Sequence, residues 1–249
     1  MKEKISGSIV TYNNEKTICE CVQSVLEYTK DCSFQLYIYD NCSSDRTVEL
    51  LTKHFPQVRI IKGSKNIGFG QGHNQIIHRV HSEFHAVINP DIYFKNNVIG
   101  KMADYMEKHP QIVQLTPEIR NLDGTVQYLP KIDPDIRYVV LSKLAPFKHY
   151  RQIYTMENIK MEKPTSILSC TGCFSMIRTS VLKQVHGYDR RFFMYFEDAD
   201  LSRRLRQYGE LVYHPGMHVY HAWKRDNTHS LRGACIFLTS MVKYYRKWR

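Results

Sequence analysis

The chain has 249 residues, 43% hydrophobic and 24% charged, the balance of a folded protein with one core rather than of a disordered chain. Lys and Arg number 35 against 24 Asp and Glu, a formal charge of +11 that admits an anionic partner: nucleic acid, a phosphorylated small molecule or an acidic membrane surface. Among seven cysteines only Cys170 and Cys173 have C-x-x-C spacing, which argues against a disulfide framework or zinc ribbon, and no run approaches the roughly 20 apolar residues of a membrane span.

Met1-Lys2-Glu3-Lys4-Ile5 runs straight into a strand-like segment without an apolar leader, so a cytoplasmic protein is expected. Ile5–Tyr12 reads as a strand, Asn13-Asn14-Glu15 as a turn, and Ile18, Cys21, Val22, Val25 and Leu26 as one apolar face of a helix. Phe34–Tyr39 is a second strand. Ser43-Ser44-Asp45 supplies cap residues for a helix carrying Val48, Leu50 and Leu51. Val58–Ile61 is a third strand, followed by a Gly-rich turn over residues 66–72 and a helix around Asn74–Val80. Phe84–Ile88 is a strand stopping at Asn89-Pro90-Asp91, and a helix at Val98–Lys108 and a strand at Ile112–Leu115 complete an α/β half. Asn121-Leu122-Asp123-Gly124 predicts a hairpin turn, and the rest of residues 120–164 a long irregular insertion. Regularity returns at Ile167–Ile177, with a helix opening at Tyr195–Leu201.

Asn13, Asp40, Asn66 and Asp91 fall at or just past strand C-termini, the edge where open parallel sheets bind ligands. Asp91 there can serve a divalent cation bridging a diphosphate, or simply form a Pro-Asp turn. Aromatic residues from Phe192 to Phe196 precede Glu197, Asp198 and Asp200, acids that also suit a helix N-terminus. Asp198 shares a face with Leu201 and Leu205, whereas Asp200 points elsewhere, so the two aspartates have different tasks. His214, His218 and His221 straddle Pro215-Gly216, a break that favours one histidine joining Asp91 over a three-histidine zinc site. The Gly-rich turn lacks the lysine of a phosphate-binding loop, and the first strand lacks G-x-G-x-x-G.

In this order, Ile9–Asn13, Asp40–Asp45, Asn66–Gly70 with Asn74, Asn89-Pro90-Asp91, Thr171–Phe174, Gly187–Asp189, Phe192–Leu201 with Arg204, and Pro215 with His221 resemble the family-2 glycosyltransferases, inverting enzymes of the GT-A fold. The wording of Asn-Pro-Asp and Phe-Glu-Asp-Ala-Asp-Leu is most similar to the bacterial rhamnosyltransferases of surface polysaccharides. The resemblance implies a mostly parallel twisted sheet flanked by helices, with a GT-A domain over residues 1–223. It implies that Thr11, Tyr12, Asn13, Asp40, Asn66, Gly68, Asn74 and Asn89 line a dTDP- or UDP-sugar site, Asp40 accepting from the pyrimidine N3–H. Arg204 would help neutralise the leaving diphosphate. Asp91 and His221 would hold Mg²⁺ or Mn²⁺, although Asn89 stands where the family's first motif aspartate does. Asp198 matches the general base, Glu197 supports it, and Gly172, Cys173 and Asp200 face the acceptor. His186 replaces a usual glycine.

Residues 224–249 hold seven basic residues and one acid, Asp226. Leu231, Ala234, Cys235, Leu238, Met241, Val242 and Tyr245 form an amphipathic helical stripe, with Trp248 near its end, suited to packing on the domain or to a lipid surface. The expected function is transfer of a sugar, rhamnose first, to a saccharide carried on a polyprenyl diphosphate at the inner face of the cell membrane. Transfer of another hexose (Gal, Glc or GlcNAc) and an inactive scaffold are the alternatives. Nucleic acid is not an expected partner, because much of the basic excess sits in one terminal helix and no nucleic-acid motif appears. A homodimer is the default oligomer.

Overall fold

The computed structural model describes residues 3–141, 148–222 and 231–249. Every residue of β1 (Ile5–Thr11) is buried, as a strand covered on both faces requires. It pairs in parallel with β2 (Phe34–Asp40) and β4 (Phe84–Ile88), and β2 pairs in parallel with β3 (Arg59–Lys62). The helices α1 (Ile18–Thr29), α2 (Thr47–His54) and α3 (Phe69–Ile77) connect these strands. Because the chain leaves β1 towards β2 and returns to it at β4, a crevice forms beyond the C-terminal ends of β1 and β4.

The sheet order is β3-β2-β1-β4-β9-β6-β10-β5. Here β5 is Ile92–Tyr93, β6 Ile112–Arg120, β9 Phe174–Arg178 and β10 Glu210–His221. Short strands β7 (Val126–Gln127) and β8 (Thr165–Ser166) flank β6 and β10. Strand β9 runs antiparallel to both β4 and β6, so the expected parallel sheet holds in the first half and becomes mixed in the second. The chain reaches β9 after a long excursion rather than by a helical crossover, and enters the sheet in the opposite sense. Helix α4 (Val98–Lys108) covers one face, and residues 121–124 make the expected turn, Gly124 N–H donating to the Asn121 carbonyl at 2.9 Å. The expected irregular insertion contains α5 (Ile136–Leu141) and α6 (Lys148–Tyr154).

Helix α3 starts at Phe69, inside the segment expected to be a turn. Gly70 and Gly72 serve packing there: a Cβ at Gly70 would lie 2.7 Å from Tyr188 Cβ, and one at Gly72 2.7 Å from Val10 Cγ1. Under this helix runs a buried polar chain. Ser6 Oγ meets Ser82 Oγ at 2.6 Å and His85 Nδ1 at 2.7 Å, while Ser8 Oγ meets His85 Nε2 and His73 Nδ1, both at 2.8 Å. Burial lowers His85 to about 3 and His73 well below its usual range, so both rings are neutral links between sheet and helix.

After α7 (Thr179–Gln184) and α8 (Glu197–Leu205) comes α9 (Leu231–Lys247). Lys224, Arg225 and Asp226, counted in the basic tail, lie outside the described residues. The orientation of α9 differs from the expected apolar stripe. Its buried face carries Gly233, Ser240 and Tyr244, with Phe237, Met241, Tyr245 and Trp248 packed in the same cluster, while Leu231, Cys235, Leu238 and Val242 are exposed. The aromatic face turns inward, where Tyr244, Phe237 and Tyr245 meet Phe196. Among the described residues no helix is long and apolar enough to cross a membrane.

Candidate active site

The crevice is walled by loops that bond to one another. Thr11 and Asp40 are paired in register at the ends of β1 and β2 and both are buried. Ser43 N–H donates to both Asp40 oxygens at 3.2 Å. Tyr12 and Asn13 are exposed on the rim; Asn13 has a left-handed φ of 55° and its Oδ1 accepts from Ser44 N–H at 2.8 Å. Asn66 Oδ1 accepts from Gly68 N–H at 3.0 Å, which closes the turn. Gly68 has φ 91°, and a Cβ there would strike the Phe193 carbonyl, to which Phe69 N–H donates at 3.0 Å. The turn beside the crevice is thereby joined to the segment that precedes α8. Asn41, absent from the expected site, holds the same turn: its Oδ1 accepts from Ile67 N–H at 2.8 Å and its Nδ2 donates to the Gly68 carbonyl at 3.1 Å.

Beyond β4, Asn89 N–H donates to the buried Cys173 carbonyl at 2.8 Å. Asn89 Oδ1 is itself buried with no hydrogen-bond partner among the described residues. Of the three histidines on β10, His221 alone lies against Asp91, its Nε2 3.2 Å from Oδ1. Gln127 sets that ring. Its Nε2 donates to Asn121 Oδ1 at 2.7 Å and to the His221 carbonyl at 3.0 Å, which turns its Oε1 to His221 Nδ1 at 3.0 Å. Nδ1 donates to Gln127 Oε1, and the ring is thereby fixed with its Nε2 edge towards the Asp91 carboxylate. The imidazole of His221, the Asp91 carboxylate and the amide oxygen of Asn89 are the nitrogen and oxygen donor types that a divalent cation takes.

Helix α8 projects the acids. It opens after two successive non-glycine residues in left-handed conformation, Tyr195 (φ 71°) and Phe196 (φ 66°), a strained entry of the kind found at functional sites. Asp198 is half-buried, its Oδ2 accepting from Gly172 N–H at 3.2 Å and its Oδ1 from Ala199 N–H at 2.8 Å. Glu197 is buried; desolvation, and then the charge of Asp198, push its carboxyl up to about 8. Near neutral pH Glu197 therefore keeps its proton.

Three residues expected in the site are committed to the fold instead. Asn74 is buried and bonds the Tyr188 backbone twice, donating to its carbonyl and accepting from its N–H, both at 2.8 Å. Arg204 donates from Nε to Asp200 Oδ2 at 2.9 Å and from Nη1 to the Val185 and Gly187 carbonyls at 2.7 Å. Asp200, expected near the acceptor, is fully buried and faces α9, where Lys247 Nζ and Trp248 Nε1 both reach Oδ1, the latter at 2.9 Å. A buried carboxylate needs such partners, and the helix that supplies them cannot be identified by spacing along α8. His186 takes φ 60° without being glycine, and Gly187 follows at φ 65°.

Comparison with known proteins decides the family: residues 8–186 match the model for glycosyl transferase family 2. The chain belongs to that family. As a family-2 chain it is 31% identical over 199 residues to the N-acetylglucosaminyl-diphospho-decaprenol L-rhamnosyltransferase of Mycobacterium tuberculosis, covering 73% of this chain and 64% of that protein. It thus spans somewhat under two thirds of the length of that relative. Rhamnosyltransferase WbbL of Escherichia coli K12 is 25% identical over 232 residues, 88% of this chain and 83% of WbbL. Among solved structures, GalNAc-T7 with UDP, GalNAc and Mn²⁺ superposes with a TM-score of 0.68 at 16% identity, covering 88% of this chain and 43% of that one. Staphylococcus aureus TarS with UDP-GlcNAc gives 0.64 at 17%, covering 90% and 59%. These likenesses establish the GT-A fold.

The raised Glu197 carboxyl has a measurable thermodynamic consequence. Between its ordinary value of 4.5 and about 8 the native state holds a proton that the unfolded chain has lost, so this residue's contribution to stability declines as pH rises through that window. Glu197→Gln should therefore unfold at higher urea concentration than the unaltered protein, by a margin that widens from pH 5 to 8 and then levels. A constant margin would show that the carboxyl titrates normally.

Proposed function

We propose that the chain is an inverting glycosyltransferase that moves rhamnose from a dTDP- or UDP-linked donor to a saccharide carried on a polyprenyl diphosphate. The observation that carries this reading is Asp198, fixed by two backbone N–H groups at the mouth of the crevice and next to a neutral Glu197. The acceptor hydroxyl attacks the anomeric carbon from the face opposite the diphosphate. Asp198 takes the hydroxyl proton, the new C–O bond forms, and the electron pair of the old one leaves with the nucleoside diphosphate. A single displacement inverts the anomeric centre. Thr11, Tyr12, Asn13, Asp40, Asn66 and Gly68 border the nucleotide, Gly172 and Cys173 the acceptor. The named acceptor of the mycobacterial relative, a polyprenyl-diphosphate sugar, supports this choice of acceptor.

Asp91 and His221, with Asn89 beside them, would hold Mg²⁺ or Mn²⁺; a bound ion there supplies charge neutralisation for a diphosphate. The Mn²⁺ named in the GalNAc-T7 complex supports the ion class. The outer face of α9 completes the reading. Leu231, Cys235, Leu238 and Val242 are exposed beside Arg232 and Arg246, a surface with the chemistry of an anionic membrane interface. Residues 224–249 form this attachment segment and residues 1–223 the transferase domain.

Three measurements test the parts separately. Asp198→Asn should lower transfer by about 10²–10⁴-fold with nucleotide affinity by calorimetry unchanged; near-normal turnover would remove Asp198 as the base. EDTA should stop transfer and Mn²⁺ or Mg²⁺ restore it, whereas full activity in chelator would dismiss the metal. Arg232→Glu with Arg246→Glu should reduce sedimentation with phosphatidylglycerol vesicles, each charge counting for about 1 kcal/mol near the surface; unchanged sedimentation would mean that α9 serves packing alone.

A further inference from the structure

The basic excess gathers on three elements that pack side by side. Residues 69–80 (α3 and its end), 179–191 (α7 and the turn after it) and 231–249 (α9) contain nine Lys and Arg against one acid, Asp189. They thus carry +8 of the formal +11. Gln71 Nε2 on α3 donates to the Arg190 carbonyl at 3.3 Å and Asn74 Nδ2 to that of Tyr188 at 2.8 Å, so α3 lies along the turn. From the other side, Lys243 Nζ donates to the Arg191 carbonyl and Lys247 Nζ pairs with Asp189 Oδ2, both at 2.7 Å. One turn therefore joins α3 to α9.

The single acid of this band is already occupied, because Arg191 and Lys247 both pair with Asp189. Among the described residues Arg79, Lys183, Arg190, Arg232, Lys243 and Arg246 have no carboxylate partner. Arg79, Arg190, His78 and His186 are exposed and Lys183 is half-buried. Desolvation, and then the charges of Arg190, Lys183, His186 and Arg79, hold the His78 imidazole below its ordinary range, as crowded cations do. The helix dipole accounts for Arg79 and Lys183, at the ends of α3 and α7, but not for Arg190 in the turn. Like charges gathered in this way repel one another, a cost that an anionic surface removes. Round α9, at about 100° per residue, Arg246, Arg232 and Lys243 follow the exposed Leu231, Leu238 and Val242 and lead to Lys247, which meets Asp189. A nucleic acid would call for aromatic platforms beside the cations. An exposed aliphatic row bordered by Lys and Arg matches instead the acyl and headgroup layers of an anionic bilayer.

We propose that the face running from Arg79 through Lys183 and Arg190 to the basic flank of α9 is one docking surface for anionic phospholipid. The aliphatic row of α9 enters the bilayer and the α3–α7 side rests on the headgroups. This deepens, and rests on, the reading of α9 as an attachment segment. It adds a second region of contact, and two regions fix the tilt of the domain on the membrane where one helix would leave it free to roll.

The test measures sedimentation of the full chain with mixed phosphatidylglycerol and phosphatidylcholine vesicles at 0.15 M salt, about an 8 Å screening length. The triple variant Arg79→Glu, Lys183→Glu and Arg190→Glu leaves α9 untouched and breaks no ion pair among the described residues. It should bind these vesicles about tenfold more weakly or worse, with an unlowered melting temperature and unaltered transfer to a short, water-soluble acceptor. The corresponding Gln triple should lose less. Unchanged vesicle binding by the Glu triple, with loss in Arg232→Glu/Arg246→Glu, would overturn the second region and leave the attachment reading of α9 standing. Loss in the triple alone would support contact at the α3–α7 side and defeat that reading of α9. No vesicle binding by the unaltered protein would overturn both, while transfer to the soluble acceptor still reports on the chemistry. An RNA oligonucleotide bound more tightly than the vesicles at the same salt, and released by the triple, would overturn lipid as the occupant.

Discussion

One buried charge organises the acid-bearing half of this protein. Asp200 is fully buried, and a carboxylate in that position survives only when opposing charges and donors surround it. Arg204 comes from the same helix, Lys247 and Trp248 from the C-terminal helix, and Lys247 also reaches Asp189 at 2.7 Å. Ser240 adds a bond to the Met194 carbonyl at 2.8 Å, and Lys243 one to the Arg191 carbonyl at 2.7 Å. The segment before α8 is thus bonded along its length to α9. That support holds the consecutive left-handed residues Tyr195 and Phe196, and with them the direction in which Glu197 and Asp198 emerge.

The other half of the site depends on the sheet. Parallel pairing of β1 with β2 and β4 brings Thr11, Asp40 and Asn89 to one edge, and the loops beyond are fastened by amide side chains rather than by regular structure. Asn41 closes the Gly68 turn, Gln127 orients His221, and Asn13 joins the two loops at the rim. The halves meet where the Gly68–Phe69 turn touches Phe193 and where Gly172 touches Asp198. The sheet edge and the acid-bearing helix are so joined by hydrogen bonds from backbone N–H groups.

Much of this was legible from residues alone, for physical reasons. The boundaries of β4 and α4 follow from uninterrupted apolar runs and a clear helical period, and both coincide with expectation. That one of the three histidines on β10 lies against Asp91 follows from spacing, that it is His221 from the family resemblance, and the divergence of Asp198 from Asp200 from helix geometry. What spacing could not supply is the partner across the fold. Asn74, Arg204 and Asp200 look equally polar whether they meet a ligand or a distant backbone, and only the packing of α8 against α9 and the Gly187 turn decides between them. Gln127 sits in a short, unpatterned stretch with no local signal, and Asn41, although inside the Asp40–Asp45 motif, has nothing in its spacing that names the Gly68 turn as its partner. The stripe on α9 was read on the correct helix, but periodicity cannot tell which of two semi-apolar faces turns inward.

The serine–histidine chain beneath α3 has a consequence for substitution. Ser6, Ser8, Ser82, His85 and the Nδ1 of His73 bond one another in the interior, so changing one strands a neighbour's buried donor or acceptor at a cost of about 1–3 kcal/mol. Replacing several together with apolar side chains of matching volume carries far less penalty. The five side chains therefore form one energetic unit, although they are scattered across nearly eighty residues of the chain.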